Sequence, residues 1–409
     1  MKILYLSYDG ITDQLGQSQV LPYLTGLSDR GHHIHLISCE KPGRFEKFRN
    51  TIESLIKKTK ITWHPLTYHK SPPVLSTIID INQIHKKAFA LQKQFQFDIV
   101  HCRSYITPFI GLAMKKKFGV KFIFDMRGFY ADERVDGKIW NLKNPLFANI
   151  YRYFKKKEKE FLINADHIVS LTYTAEKILQ NFKLNGENKL PITVIPCCAD
   201  LNLFNFNNYN DETKSVVRKN LNINSDAFVL TYLGAIGTWY MLDEMIDFFA
   251  NLISEKKDAV FLFITNESPE LINQHASQKN ISLSQLRIVS AQRNEVPQYL
   301  SVTDVSVFFI VPTFSKKASS PTKQGELMGM GIPIICNAGV GDTDYIVNQT
   351  NCGFVLNNFE KSDFEKAAKQ IDAIKNLDKE KIREGAQQFY SLEKGVEKYD
   401  EIYKAIGKN

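Results

Sequence analysis

The run Ser319-Ser320-Pro321-Thr322-Lys323-Gln324-Gly325-Glu326 carries the densest local chemistry in the sequence. Ser320 is suited to cap a helix and Pro321 to open one, so a helix is expected to begin here. The first amides of a helix have no partner within it, and its dipole is positive at that end, which makes an anion site. Lys323 in the first turn works against that dipole unless an anion is bound, and such a local conflict points to function. Glu326 follows on the same face, where a carboxylate can accept from ribose hydroxyls while the lysine meets phosphate. Two plainer readings compete: a solvated lysine on a surface helix, and a simple ion pair between the two side chains. Glycine turns follow the first strand of each half, Gly10 to Gly16 and Gly234-Ala235-Ile236-Gly237-Thr238. Glycine lets a phosphate approach the backbone, although many such turns are only tight connections.

A second dense stretch is Arg127-Gly128-Phe129-Tyr130-Ala131-Asp132-Glu133-Arg134, followed by Trp140. Its aromatic residues offer faces for sugar rings. Arg127, Asp132 and Glu133 are read as lining a ligand cleft with Arg103; a solvated charge run is the plain alternative. Lys115-Lys116-Lys117 and Arg152 to Lys159 are the main basic runs. In the second, Phe147, Ile150, Phe154 and Phe161 recur at helical spacing. That pattern fits a helix lying on an anionic lipid surface, or equally a core-facing helix with a basic solvent face.

These sites need elements to hold them. The first half alternates β-rich runs (Lys2–Leu6, His33–Ser38, Phe97–His101, Val120–Met126, His167–Leu171, Ile192–Pro196) with helical patterns, and the second half restarts the alternation from Phe228–Gly234. That is the pattern of parallel sheets with crossover helices. The expected fold is α/β, with two Rossmann-like domains facing each other across a cleft. Their expected bounds are 1–203 and 204–390, with Asp200 to Asn224 as a turn-rich linker and the final helix, within 391–409, packing back on the first. Ligands of open parallel sheets bind beyond the carboxyl ends of the strands.

The chain has 409 residues, a formal net charge of +8, 44% hydrophobic and 23% charged residues, which argues against disorder and fibre. Residues 1–200 hold 30 Lys/Arg and 18 Asp/Glu, a balance of +12, and the remainder −4. The basic half is expected to meet an anionic partner. No apolar run is long enough to span a membrane, and the N-terminus lacks the apolar region of a signal peptide, so a cytoplasmic location is expected. Neither G-x-G-x-x-G nor G-x-x-x-x-G-K-[ST] is present, which weakens dehydrogenase and nucleoside-triphosphatase readings. Six cysteines without C-x-x-C make neither a disulfide framework nor a zinc site, and no nucleic-acid-binding module is recognisable.

Taken in order, the motifs resemble those of the family 4 retaining glycosyltransferases, which have the GT-B fold. Lys323-Gln324-Gly325-Glu326-Leu327-Met328-Gly329-Met330-Gly331-Ile332-Pro333 is similar to the second half of that family's Glu-x7-Glu motif. Val194 to Phe204 resembles the strand and turn written V-I-P-N-G-V-D-x-x-x-F, and Ala165 to Thr172 the A-D-x-I-x-x-x-S/T strand. Gly10 to Gln19 stands in the place of the N-terminal glycine loop. The 127–134 loop is similar to R-G-F-W-A-D-E-R of a subgroup found in bacterial capsule, exopolysaccharide and O-antigen clusters.

The resemblance implies a UDP- or GDP-sugar donor as substrate, no cofactor, no metal, and a polyprenyl-diphosphate-linked glycan acceptor. It implies that Glu326 binds the ribose, that Ser319, Ser320, Thr322 and the amides through Lys323 cradle the diphosphate, and that Lys323 neutralises the leaving group. Gly16, Gly234, Gly237 and Thr238 would border the donor. Asp342-Thr343-Asp344 mimics a D-x-D metal motif but is read as a loop near the donor pocket. The departures are specific: the first glutamate of the motif is replaced by Ala318, and the family's Arg and Lys after the first strand of the second domain are missing. Lys323, with Arg127 or Arg293, is left to hold phosphate. A peripheral position on the inner face of the cytoplasmic membrane is expected. A GT-B-fold nucleotide-sugar 2-epimerase and a catalytically silent sugar-nucleotide-binding partner are the rival readings.

Overall fold

The computed structural model describes residues 1–72, 74–182, 184 and 189–407. The chain forms two compact units, Met1–Pro196 together with the C-terminal helix Leu392–Gly407, and Cys197–Ser391. The join precedes the 203/204 boundary expected from sequence. Ala199 already bridges to Ser391, and the Arg383 guanidinium donates to the carbonyls of Leu201, Phe204 and Gly329. The expected linker is likewise part of the second unit. It contains the helix Asp211–Asn220, capped by Asn210 and anchored by buried Val217.

The first unit is built on β1 (Lys2–Ser7), β2 (His33–Glu40), β3 (Ile61–Thr67), β4 (Ile99–Arg103), β5 (Lys121–Asp125), β6 (His167–Ser170) and β7 (Ile192–Val194), in the order β3-β2-β1-β4-β5-β6-β7. The second contains β8 (Val229–Leu233), β9 (Val260–Ile264), β10 (Leu286–Val289), β11 (Val305–Phe308), β12 (Ile334–Asn337) and β13 (Gly353–Leu356), in the order β10-β9-β8-β11-β12-β13. Every strand pair is parallel, so each unit is a Rossmann-like α/β sheet. Strands covered on both faces need apolar runs, and β8, β9 and β11 are buried along their whole length. The strand order reverses between β1 and β4, and between β8 and β11. Side chains at those carboxyl ends are therefore the ones a ligand would meet.

Two strands escaped the sequence reading. β3 is an edge strand with exposed alternate positions and Pro65, and β13 opens on Gly353 at the opposite edge of its sheet. Edge strands carry proline, glycine and polar residues because one side of them needs no ladder, and this blurs their pattern. The helical stretch after the first glycine turn is broken at Val20 into Gln14–Gln19 and Leu21–Asp29, with Pro22 opening the second piece. In helix Pro145–Asn164, Phe161 is buried and Phe154 packs among Tyr130, Trp140 and Phe109. The apolar face expected to reach lipid is thus a packing face.

The C-terminal helix belongs to the first unit through specific contacts. A Cβ at Gly26 would stand 2.8 Å from Val396, and Asp400 receives His32 at 2.8 Å and Arg30 at 3.3 Å. Tyr403 Oη meets His101 Nδ1 at 2.7 Å, and Tyr399 donates to Asp125 at 3.0 Å. His101 and Asp125 are both fully buried, so these hydroxyls satisfy groups that water cannot reach. Tyr403→Phe leaves a buried imidazole nitrogen without its partner. The first unit is expected to lose about 1–3 kcal/mol, read as a lower urea midpoint with an unchanged slope.

Candidate functional site

In the second unit the geometry centres on Lys323. Its side chain enters the core from the first turn of helix Thr322–Gly329, and the residue is only 6% exposed. Nζ lies 3.1 Å from the Tyr232 hydroxyl, 4.2 Å from the Tyr232 ring centre and 3.8 Å from that of Tyr240. Among the described residues no carboxylate oxygen lies within 4.0 Å of it. The lysine fits because Gly234, at the carboxyl end of β8 with φ +116°, has no side chain: a Cβ there would stand 3.1 Å from Nζ. Burial pushes the lysine pKa well below its usual range, and the charge of Glu326 opposes this only in part. The tyrosine faces offset some of that cost.

Glu326 is buried on the same helix, and its Oε1 accepts from Arg293 Nη1 at 2.7 Å. The alternative reading, a simple Lys323–Glu326 ion pair, is not what forms: Arg293 takes the carboxylate. Burial raises the Glu326 pKa, and Arg293 and Lys323 pull it back only in part. The Arg293 guanidinium is 31% exposed and rests 5.3 Å from the Phe204 ring centre. Lys323, Glu326, Arg293 and Gly234 are therefore gathered at one place. A buried cation without a carboxylate, next to a carboxylate with one oxygen engaged, can receive a diphosphate and a diol.

Three expectations around this cluster change. The helix begins at Thr322 with Pro321 as its N-cap, not Ser320. Ser320 Oγ instead accepts from the Cys197 amide at 3.1 Å. The Ser319 amide already donates to the Lys316 carbonyl at 3.1 Å, so it is not part of a free cradle. Thr322 is half-buried in the first turn, while Gly237 and Thr238 are exposed in the turn after β8. Sequence reasoning missed Tyr232, Tyr240 and a second buried lysine, Lys316, whose Nζ lies 3.7 Å from the Trp239 ring centre. The pattern of β8 showed an apolar strand, with no sign of which lysine would settle against its tyrosine.

The first unit has its own polar cluster at the ends of β1, β4 and β5. Arg103, 5% exposed, pairs with Asp9 at 2.5 Å through Nη1, while its Nε has no described partner. Arg127 sits at φ +58°, an unusual conformation for a side-chain-bearing residue, with Nη1 3.7 Å from Asp125. Burial would raise the Asp125 pKa, but Arg127, His101 and Arg103 outweigh it and the net shift is downward. Below β1, buried Glu40 accepts from the amides of Ile11 at 2.8 Å and Thr12 at 3.1 Å. This fixes the glycine turn.

Two residues assigned to the site in this unit have structural partners. Asp132 is 8% exposed and accepts from Tyr151 at 2.8 Å and Lys155 at 2.9 Å, so it braces helix Pro145–Asn164. Its neighbour Glu133 is half-buried on helix Tyr130–Asp136. A Cβ at Gly16 would stand 2.3 Å from the Gly10 carbonyl oxygen, so the glycine permits close packing of the turn.

The first part of the chain, residues 18–203, matches the family described as Glycosyltransferase Family 4, and residues 213–389 match Glycosyl transferases group 1. Together they cover most of the sequence. The chain belongs to the GT-B glycosyltransferases. No curated protein sequence matches it. Among solved structures it is similar to a glycosyltransferase from Rickettsia africae ESF-5, at 16% identity over 100% of this chain and 99% of that one, with a TM-score of 0.74. HepE (Alr3699) of Anabaena, solved with UDP-glucose, is 12% identical over 99% and 100%, with a TM-score of 0.69. WaaG, a glycosyltransferase involved in lipopolysaccharide biosynthesis, is 14% identical over 98% and 99%, with a TM-score of 0.68. At these identities the likeness to the solved structures is one of fold.

In this glycosyltransferase, Asp344 of the D-x-D-like run is turned to its own helix start, accepting from the amides of Gly339 and Tyr345. Among the described residues no group of three or more His, Cys, Asp or Glu is gathered as a metal site, and no helix is long and apolar enough to cross a membrane.

Two stability measurements follow from the geometry. The folded chain holds the Lys323 proton less tightly than the unfolded chain does. The unliganded second unit should therefore gain stability as pH rises from the depressed folded pKa towards the ordinary value of about 10.4. Lys323→Met should abolish that rise and stabilise the unit at neutral pH by about 1–2 kcal/mol in denaturant titrations. Gly16→Ala should destabilise the first unit by about 1–3 kcal/mol, because backbone occupies the space of the added methyl.

Proposed function

We propose that this glycosyltransferase moves a sugar, with retention, from a UDP- or GDP-sugar to a polyprenyl-diphosphate-linked glycan at the inner face of the cytoplasmic membrane, in bacterial surface polysaccharide assembly. The observation that carries the reading is Lys323, a buried lysine with aromatic neighbours and, among the described residues, no carboxylate within ion-pair distance. Such a site is incomplete until an anion arrives. A donor diphosphate raises the lysine pKa and so favours the charged form, which faces the leaving oxygen as that oxygen develops its own charge. Glu326, held by Arg293 through one oxygen, offers the other to the ribose hydroxyls. The bond from the anomeric carbon to the β-phosphate oxygen breaks, its electron pair leaving on the nucleoside diphosphate; the bond to the acceptor hydroxyl oxygen forms, and the hydroxyl proton passes to the departing diphosphate oxygen. No metal or cofactor enters this scheme. Arg103 and Arg127 are assigned to the acceptor's phosphates. HepE, which binds UDP-glucose, and WaaG, which acts in lipopolysaccharide biosynthesis, lend support by their likeness in fold.

The deciding experiment is a donor screen with a lipid-linked acceptor, read by product mass. One nucleotide sugar should be consumed, with release of nucleoside diphosphate and a rate unchanged by EDTA. Donor turnover without acceptor would favour a 2-epimerase, and donor binding without turnover a silent partner. Lys323→Ala should lower kcat by roughly 100-fold or more with folding intact, and an unaltered kcat would refute the leaving-group role. Calorimetry of UDP binding in buffers of different ionisation enthalpy should show, at pH values between the depressed lysine pKa and the ordinary value of about 10.4, proton uptake that Lys323→Met removes. Arg127→Ala should raise the acceptor KM; unchanged rate and KM values would remove it from the site.

A further inference from the structure

Between Asp136 and Glu158 the chain has no acidic residue and six basic ones, Lys138, Lys143, Arg152, Lys155, Lys156 and Lys157. Two of these are engaged within the fold: Lys155 with Asp132 and Glu158, and Lys157 with Glu160. Lys138, Lys143 and Lys156 are exposed, and exposed Arg152 donates through Nε to the Ala148 carbonyl of its own helix. Among these cations stand large apolar side chains turned to solvent, with Ile139 54%, Leu142 42% and Leu146 60% exposed. The inward face of the same helix is occupied by aromatic packing, so these residues form a separate, outward surface.

The presentation is built into the loop. The amides of Ile139 and Trp140 both donate to the Arg134 carbonyl at 2.9 Å. Asn141 and Asn144 side chains accept from the amides of Lys143 at 3.0 Å and Leu146 at 2.9 Å. Trp140 is clamped against Tyr130 and Phe154. The loop thus satisfies much of its own backbone while holding three aliphatic side chains outward within eight residues, a local concentration rather than singly scattered apolar residues. Protruding aliphatic tips within an acid-free set of cations complement a surface that is apolar beneath and anionic on top. Such a surface is an anionic lipid bilayer.

We propose that the loop 138–146 and the first turns of helix Pro145–Asn164 dock the protein on an anionic bilayer, with Ile139, Leu142 and Leu146 entering the interface and Lys138, Lys143, Arg152 and Lys156 meeting headgroups. The purpose of this docking rests on the lipid-linked acceptor proposed above; the surface itself does not.

The test is flotation of the full chain with vesicles of phosphatidylcholine, with or without phosphatidylglycerol. Binding is expected only with phosphatidylglycerol and should fall at high salt. Each cation is worth roughly fivefold, so Lys138→Gln with Lys143→Gln should weaken binding by roughly 30-fold. Leu142→Glu with Leu146→Glu should abolish it, and Val216→Glu, at an exposed position of the second unit, should leave it intact. An unchanged circular-dichroism spectrum and urea midpoint in all variants show that they are folded. Equal binding to both vesicle types, no binding to either, or full binding by the leucine variant would overturn the proposal. So would self-association of the wild type, lost in the leucine variant without vesicle binding. If the donor screen fails while lipid-dependent flotation holds, the transferase reading falls and the docking surface stands.

Discussion

Burial of one ammonium without a carboxylate partner is the constraint around which the second unit is arranged. A cation in that position is tolerated only when its neighbours are polarisable faces or hydroxyls, and β8 supplies them through Tyr232 while the following turn supplies Tyr240. The space it fills exists because Gly234 carries no side chain. Glu326 would be the natural partner, yet Arg293 holds it, and this keeps the lysine uncompensated. The arrangement is poor for stability and good for anion binding. A site of the kind proposed here for a diphosphate is expected to show that trade-off.

The first unit solves a related problem in another way. Asp125 is buried at the end of β5, and its charge is balanced by His101, Arg127 and Arg103, with Tyr399 of the last helix as a donor. The C-terminal helix is therefore part of the site's support, although it is the last element in the chain. Arg127 reaches this cluster through a backbone conformation that side-chain-bearing residues rarely adopt. The balance of the cluster depends on elements distant in sequence, which explains why local charge patterns did not foretell it. Asp132 shows the same lesson in reverse, since an acid in a promising loop is committed to Tyr151 and Lys155.

The alternation of β-rich and helical runs was enough to place most strands and the α/β class, because doubly covered parallel strands must be apolar throughout. Edge strands β3 and β13 were illegible for the same reason, being half-exposed and interrupted by proline or glycine. The helix at Thr322, its lysine and its glutamate were visible as a local conflict with good helix design. Their glycine turn was visible too, and the match to glycosyltransferase motifs followed from these residues in order.

Sequence alone thus determined which residue types were available at the strand ends, since periodicity and helix-start signals are properties of adjacent residues. It could not determine which side of helix Pro145–Asn164 faces solvent, whether Lys323 pairs with Glu326, or that Gly16 is filled by backbone. Those depend on what arrives from elsewhere in the chain: the aromatic cluster around Phe154, the Arg293 guanidinium and the Gly10 carbonyl. Only the tertiary structure decides them, because burial and pairing are set by neighbours in space, and the energies at stake belong to those neighbours.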